Sequence, residues 1–419
     1  MINLEVPNKE YIELTYVKET ATGRGLNTQF IMENTKNGFF KVIDGRVGIK
    51  VGPNKPKIYT RPIEDWDAVF TSKVARGYLV TKTEKTKQIV VQKQSRYKEI
   101  PDKVAKEVVE RLMSYANQYM EENFTVKVDD ISDEMIKLGS EIISELQTNF
   151  HKMSVAEFNT KLKVLYAAIP RRIDNLSTKL AHSKSNFVKI IEDEQEIFDF
   201  VIKQVRAEKE QEIPNETILD MYGLEIRAVT ETEEKQIKEK LGKQANKYQN
   251  AWKVSLKESE KKFENFCNKE NVTEENGGIS YLFHGSKHPL WWSILTNGIW
   301  CEPEKHPEFH GNITGKAGGL GAYFAPKAIK AMGYTSFLGS KWAKGTEKTG
   351  FLALFKVATG NQYYGQRGYG SHFTWDVLQN VSPGSHCLWL KKEYSGFMMD
   401  EVIVYKEEQF TIDYLIEIG

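Results

Sequence analysis

Three changes of texture along 419 residues predict a multidomain α+β protein. Residues 1–92 read as β-rich with one helix, an α/β module. Residues 101–206 switch to helical periodicity throughout, an all-α domain. Residues 217–419 return to short β-type runs among helices and glycine-rich loops, an α+β domain. A polar, charged stretch holding Pro214, residues 208–216, reads as the linker before the last domain.

In the first domain, Tyr11 to Val17 and Phe39 to Ile43 are rich in the β-branched and aromatic residues that fit a pleated surface. The run Asp44-Gly45-Arg46-Val47-Gly48 predicts a turn. Ile63, Trp66, Phe70 and Val74 fall at helical intervals. In the second domain, Pro101 suits a first helical position, with Val104, Val108, Leu112, Tyr115 and Tyr119 as the stripe behind it. Met135, Leu138, Ile142, Ile143 and Leu146 form another stripe. Ser154-Val-Ala-Glu157 predicts a capping box, and Pro170 stops the helix it opens. Phe187, Ile190, Ile191, Ile197, Phe200 and Val201 predict one further helix. In the third domain, the β-type runs are 223–229, 280–284, 321–325, 351–358, 386–390 and 401–405, and residues 232–265 are helical in composition.

Charge is nearly balanced overall, at +1, but residues 1–100 carry +7 and the remainder −6. A basic first domain on a mildly acidic body fits a polyanion-binding module as well as an ordinary solvated lysine surface. No apolar run approaches the ~20 residues that a membrane helix needs. MINLEVPNKE lacks the basic and apolar regions of a signal peptide. Cys267, Cys301 and Cys387 are odd in number and far apart, forming neither a disulfide framework nor a zinc pattern. An intracellular home without a membrane partner follows as the expectation.

Several residues carry candidate chemistry. Gly311 to Ala317 resembles a phosphate loop but is one residue short between its glycines, with Ala317 where a metal-binding hydroxyl is needed, so it is set aside. Gly315, Gly318, Gly319 and Gly321 instead suggest a mobile loop leading into a strand. His284 ends an apolar strand, and Gly285 after it would let backbone approach a ligand closely. Tyr323 and Tyr334, eleven residues apart, can sandwich a flat ring; equally they can be core. Glu401 opens the apolar strand Glu401-Val-Ile-Val-Tyr405, where a carboxylate needs either a partner or solvent.

Taken in order, Leu282-Phe-His-Gly-Ser286, Gly321-Ala-Tyr-Phe-Ala325 with Tyr334, and Glu401-Val-Ile-Val-Tyr405 resemble the His-Tyr-Glu signature of the diphtheria-toxin-like ADP-ribosyltransferases. Their spacing resembles the poly(ADP-ribose) polymerases in particular. Leu224-Glu-Ile-Arg-Ala-Val229 resembles the start of that catalytic domain, expected over 217–419 with a split β-sheet. Residues 101–206, with Leu165-Tyr-Ala-Ala-Ile-Pro170, resemble the regulatory helical domain of the family, and Phe39-Phe-Lys-Val with Gly45-Arg46-Val47-Gly48 resembles its WGR domain. The resemblance implies a transferase that uses NAD+ as substrate, needs no metal, modifies acceptor proteins (itself among them) and responds to DNA ends or nicks. It implies the nucleus in a eukaryote, the cytoplasm or nucleoid otherwise.

By the same resemblance, His284 would bond the adenosine-side ribose, and the Gly285 backbone would hold the nicotinamide carboxamide with Ser286 adjacent. Tyr323 and Tyr334 would flank the ring. Glu401 would act on the reacting ribose and the acceptor, and Arg46 would contact DNA. Two positions depart from the family. Asp44 stands where the WGR tryptophan packs on a DNA end, and an aspartate repels phosphate. Ala331 stands where a serine bonds the carboxamide. Mono-ADP-ribosyl transfer, NAD+ hydrolysis and a silent nucleic-acid-binding adaptor remain the alternatives to polymer synthesis.

Overall fold

The computed structural model describes residues 9–19, 25–47, 55–83, 97–173, 175–209, 216–302, 305–306, 318–338, 345, 347–366 and 373–419. The chain forms two compact units, Met1–Gln92 with Tyr119–Lys209, and Lys93–Gln118 with Glu210–Gly419. Compactness thus divides the chain at other points than composition does.

The first unit opens with β1 (Tyr11–Glu19), β2 (Gly25–Asn34), β3 (Phe39–Arg46), β4 (Lys57–Pro62), α1 (Trp66–Ala75) and β5 (Leu79–Lys82). The strands make an antiparallel sheet in the order β4-β3-β2-β1-β5. Alternation puts Ile12, Leu14, Phe30, Met32, Phe40 and Val42 on one face, where Trp66, Val69 and Phe70 of α1 cover them. Asp44–Arg46, expected as a turn, end β3 instead. Gly45 serves close packing there: a Cβ would stand 2.7 Å from Pro56 Cα. Gly48 lies outside the described residues.

Helices complete the unit: α2 (Lys103–Asn123), whose start belongs to the other unit, α3 (Asp133–Asn149), α4 (Val155–Ala168) and α5 (Phe187–Lys209). The capping box at α4 forms, with Ser154 N–H donating to Glu157 Oε2 at 2.7 Å and Glu157 N–H to Ser154 Oγ at 3.2 Å. Pro101 stands before α2 rather than in it. Asp102 caps that helix, accepting the Ala105 N–H at 2.7 Å. Sheet and helices share hydrogen bonds: Thr15 Oγ1 donates to Ala167 O at 2.6 Å and Ser132 Oγ to Thr81 O at 2.8 Å.

The second unit contains α6 (Ile218–Tyr222), β6 (Leu224–Ala228), α7 (Glu231–Leu241), β7 (Tyr248–Leu256), α8 (Lys257–Glu270), β8 (Ile279–Ser286), α9 (Trp291–Asn297), β9 (Ala322–Phe324) and α10 (Ala328–Met332). It continues through β10 (Gly350–Ala358), β11 (Gln362–Tyr364), α11 (Trp375–Val381), β12 (Cys387–Leu390), α12 (Lys392–Ser395), β13 (Glu401–Val404) and β14 (Phe410–Ile418). One sheet runs β6-β7-β14-β10-β8, the other β11-β12-β13-β9. A two-way bridge joins them: the Phe283 and Ala325 amides each donate to the other's carbonyl at 2.8 Å. This unit is mixed α/β.

Its main core gathers Leu224, Trp252, Leu282, Trp291, Phe324, Phe351, Val402 and Leu415. Ala105, Val108, Val109 and Leu112 of α2 belong to the same core. Val108 and Leu112 of the expected stripe are thus buried, joined by Ala105 and Val109, whereas its first member, Val104, is exposed.

Candidate active site

The β8–β9 bridge brings three strand ends together. On β8, antiparallel pairing sets His284 against Ala353. The His284 Nδ1–H donates to Tyr323 O at 3.0 Å. A carbonyl only accepts, so the neutral ring carries its proton on Nδ1 and keeps Nε2 as an acceptor. The ring is wedged edge-on among Trp291, Phe324 and Phe355.

Gly285 is held by the chain itself: a Cβ there would lie 2.0 Å from Ala331 O. The close approach expected of a ligand is thus made on that side by backbone, and no other residue fits. Ala331 is buried in α10 with Phe283, Ala328, Met332 and Leu352. Ser286 is buried, and its carbonyl accepts Trp291 Nε1–H at 3.1 Å.

On β9, Tyr323 is paired with Ile403 of β13. Its hydroxyl accepts the Gly318 N–H at 3.0 Å and donates to Gly319 O at 2.8 Å. Tyr334 follows α10, its N–H on Ala331 O at 3.0 Å, and is 41% exposed. Burial pushes the Tyr334 phenol up to about 12, with the Glu401 charge adding to the effect. Burial and the same carboxylate raise the Tyr323 phenol. Both tyrosines and Glu401 therefore share one electrostatic neighbourhood.

Glu401 opens β13 opposite Leu390 of β12 and is only 8% exposed. Its neighbour Asp400 is engaged elsewhere, accepting Lys392 N–H at 3.0 Å and Trp389 Nε1–H at 3.3 Å. Glu401 Oε1 is 3.1 Å from Lys330 Nζ, and Lys330, 9% exposed, also donates to Met399 O at 3.3 Å. Burial raises the Glu401 carboxyl above the usual range, and the Lys330 ammonium opposes the rise. Lys330 escaped sequence reasoning. The available signal was a lysine inside the apolar run Ala328–Met332, a position that solvent alone does not explain.

Two surface cavities of this unit lie away from these residues. One, of about 620 Å³, is lined by Asp102, Asp220, Glu225 and Arg227 among others, and one of about 400 Å³ by Lys240, Tyr281 and Asp413. In the first, Glu225 is paired with Lys257 at 2.8 Å and Arg227 with Glu233 at 2.7 Å. Among the described residues, no group of three or more His, Cys, Asp and Glu could hold a metal ion. Gly311 to Ala317, including Gly315, lie outside the described residues.

In the first unit, Arg46 ends β3 opposite Thr28 and is half-buried. Asp44 pairs with Lys73 at 3.2 Å, and that ammonium lies 3.7 Å from the centre of the Phe30 ring and 4.8 Å from that of Tyr78. The aspartate thus works against a lysine of its own fold.

A buried carboxylate paired with a lysine, two tyrosines and a histidine are gathered where the two sheets of this mixed α/β unit meet. Residues 231–419, somewhat under half of the chain, match the poly(ADP-ribose) polymerase catalytic domain family. That family implies an NAD+-dependent ADP-ribosyltransferase, with NAD+ as the substrate and proteins as acceptors. Two similar proteins come from Invertebrate iridescent virus 6. "Uncharacterized protein 101L" is 24% identical over 196 residues, 47% of this chain and 80% of its own length. "Putative poly [ADP-ribose] polymerase-like 100L" is 28% identical over 143 residues, 33% of this chain and 69% of its own length.

Proposed function

We propose that this protein transfers ADP-ribose from NAD+ to protein acceptors and extends it into a polymer, under control of DNA breaks. The observation that carries the reading is the buried Glu401–Lys330 pair at 3.1 Å, beside Tyr323, in a region that matches the polymerase catalytic family. His284 Nε2 accepts a hydroxyl of the adenosine-side ribose. The Gly285 backbone takes the carboxamide, with Ser286 adjacent, and Tyr323 and Tyr334 flank the nicotinamide ring.

The C1′–N bond then breaks with its electron pair going to nicotinamide, through a transition state resembling an oxocarbenium ion. Glu401 accepts the 2′-hydroxyl of the same ribose, stabilises the developing positive charge, orients the acceptor hydroxyl and takes its proton as that oxygen bonds C1′. Lys330 favours the ionised form of Glu401 and offsets part of the effect of burial. Arg46 and the +7 charge of residues 1–100 support a DNA contact by the first unit, and such a contact implies a nuclear or nucleoid location.

Incubation with labelled NAD+, with and without nicked DNA, followed by gel electrophoresis tests this. A ladder that intensifies with nicked DNA is the expected result. A sharp band means mono-transfer, free ADP-ribose means hydrolysis, and no labelled product means a silent fold. A ladder indifferent to DNA removes the regulatory part alone.

A further inference from the structure

Directly after the strand that carries Glu401, the turn Tyr405–Gln409 holds two segments that are distant in sequence. One is Cys301–Glu302 with Lys305 and His306. The other is Gly318–Leu320, which leads into β9 and Tyr323.

On the second segment, the buried Tyr405 hydroxyl donates to Gly318 O at 2.6 Å. The Tyr323 hydroxyl grips the same step from the other side, through Gly318 N–H at 3.0 Å and Gly319 O at 2.8 Å. The Phe373 carbonyl accepts Leu320 N–H at 3.1 Å. Gly319 has φ +90°, and a Cβ there would stand 2.1 Å from Phe373 O, so the step has one permitted shape.

On the first segment, Glu407 Oε1 accepts the Cys301 N–H at 2.9 Å, and its Oε2 meets His306 Nε2 at 3.0 Å. Glu302, 2% exposed, answers with both oxygens, Oε1 to Lys406 Nζ at 2.9 Å and Oε2 to Glu407 N–H at 2.7 Å. Lys305 spans Glu302 at 2.7 Å and Glu408 at 2.8 Å. The turn itself is fixed by fully buried Gln409, whose Oε1 accepts the Tyr405 and Lys406 amides at 3.0 and 2.9 Å.

We propose that Tyr405 is a positioning residue for the NAD+ site, with Glu407 bracing the turn that carries it: the Tyr405 hydroxyl ties Gly318 to the Glu401 strand and so sets the Tyr323 ring against that carboxylate. This rests on the transferase reading above. A ring held for stacking contributes to binding in ground state and transition state alike, so its loss falls on KM.

The test compares wild-type chain with Tyr405→Phe and Glu407→Gln, each of which removes one bonding capacity and keeps side-chain shape. Three quantities are read: kcat and KM for NAD+, the affinity of 3-aminobenzamide by calorimetry, and hydrogen exchange of the Gly318 and Leu320 amides. Tyr405→Phe is expected to raise KM and weaken the benzamide by about 2- to 10-fold, the worth of one hydrogen bond, with kcat within about 2-fold. Its Gly318 and Leu320 amides should exchange faster. Glu407→Gln should act in the same direction.

Unchanged KM and benzamide affinity in both variants, or a fall confined to kcat or to Tm, overturns the positioning role and leaves the transferase reading intact. A wild-type chain that neither binds the benzamide nor consumes NAD+ removes the reading and the role together. If one variant fails to fold, the other decides.

Discussion

At Glu401 two influences oppose each other: burial favours the protonated carboxyl, and Lys330 at 3.1 Å favours the carboxylate. Burial prevails, so the group holds its proton to a higher pH than an ordinary glutamate. If the ionised form stabilises the transition state, kcat/KM falls as pH drops through this raised value. Lys330→Met deletes the opposing cation, so the acidic limb of log kcat/KM should move to still higher pH. A limb that stays in place or moves down disproves the coupling. Glu401→Gln keeps the shape and removes the charge. NAD+ affinity should hold nearly constant while the rate falls roughly 10²–10⁴-fold. Wild-type polymer formation by this variant would remove Glu401 from the chemistry. His284 and Glu401 stood out because each bounds an apolar run of the sequence, where a polar side chain calls for a reason, and Tyr323 through its place in the family signature. Lys330 was not, because its reason is a carboxylate 71 residues further along the chain.

Elements were legible where a local pattern suffices. The alternation of β3 and the capping box of α4 depend on local pattern alone, and both appear where the sequence put them. The strands β7 and β14 went unread. Every residue of β14 is buried, yet its run is broken by Asp413 and Glu417. Those acids are tolerated by partners no local pattern shows, Lys253 at 2.5 Å for Asp413 and Arg111 at 2.9 Å for Glu417. In β7, lysine interrupts the apolar alternation and let the segment pass as helix. Close contacts between helices are equally non-local. Gly139 of α3 sits where a Cβ would lie 2.5 Å from the Phe198 ring of α5, and that ring is fully buried. Alanine favours a helix by up to ~1 kcal/mol over glycine, and overpacking costs about 1–3 kcal/mol. Gly139→Ala should therefore lower stability by about 1–2 kcal/mol in chemical denaturation, against the direction of helix propensity. A stabilised variant would mean that α5 yields at this contact.

At the scale of the molecule, composition and compactness part company over residues 93–118. Their periodicity groups them with the helices that follow, but their apolar side chains belong to the core that contains Trp252, Phe351 and Leu415. Ala105, Val108, Val109 and Leu112 are buried there, and Tyr115 stacks on His288 at 4.4 Å. Arg111 makes a two-pronged bond to Glu417, at 2.9 and 3.2 Å, and lies over the Trp252 and Phe351 rings. The amide of Lys98 donates to Glu216 O at 3.0 Å. Sequence alone could not assign this segment, because an amphipathic helix does not state which core its stripe joins. The consequence is testable with two truncations. A chain beginning at residue 93 keeps the segment, whereas one beginning at residue 207 strips it from the second unit. Each fully buried aliphatic side chain contributes about 1.5–3 kcal/mol, so the shorter chain should lose several kcal/mol of stability and leave Glu417 without its arginine. Calorimetry should then show the shorter chain melting well below the longer one, with activity per folded molecule as the separate readout. Equal melting of the two would mean that residues 93–118 contribute nothing to the fold of the second unit, and its boundary would return to the one composition suggests.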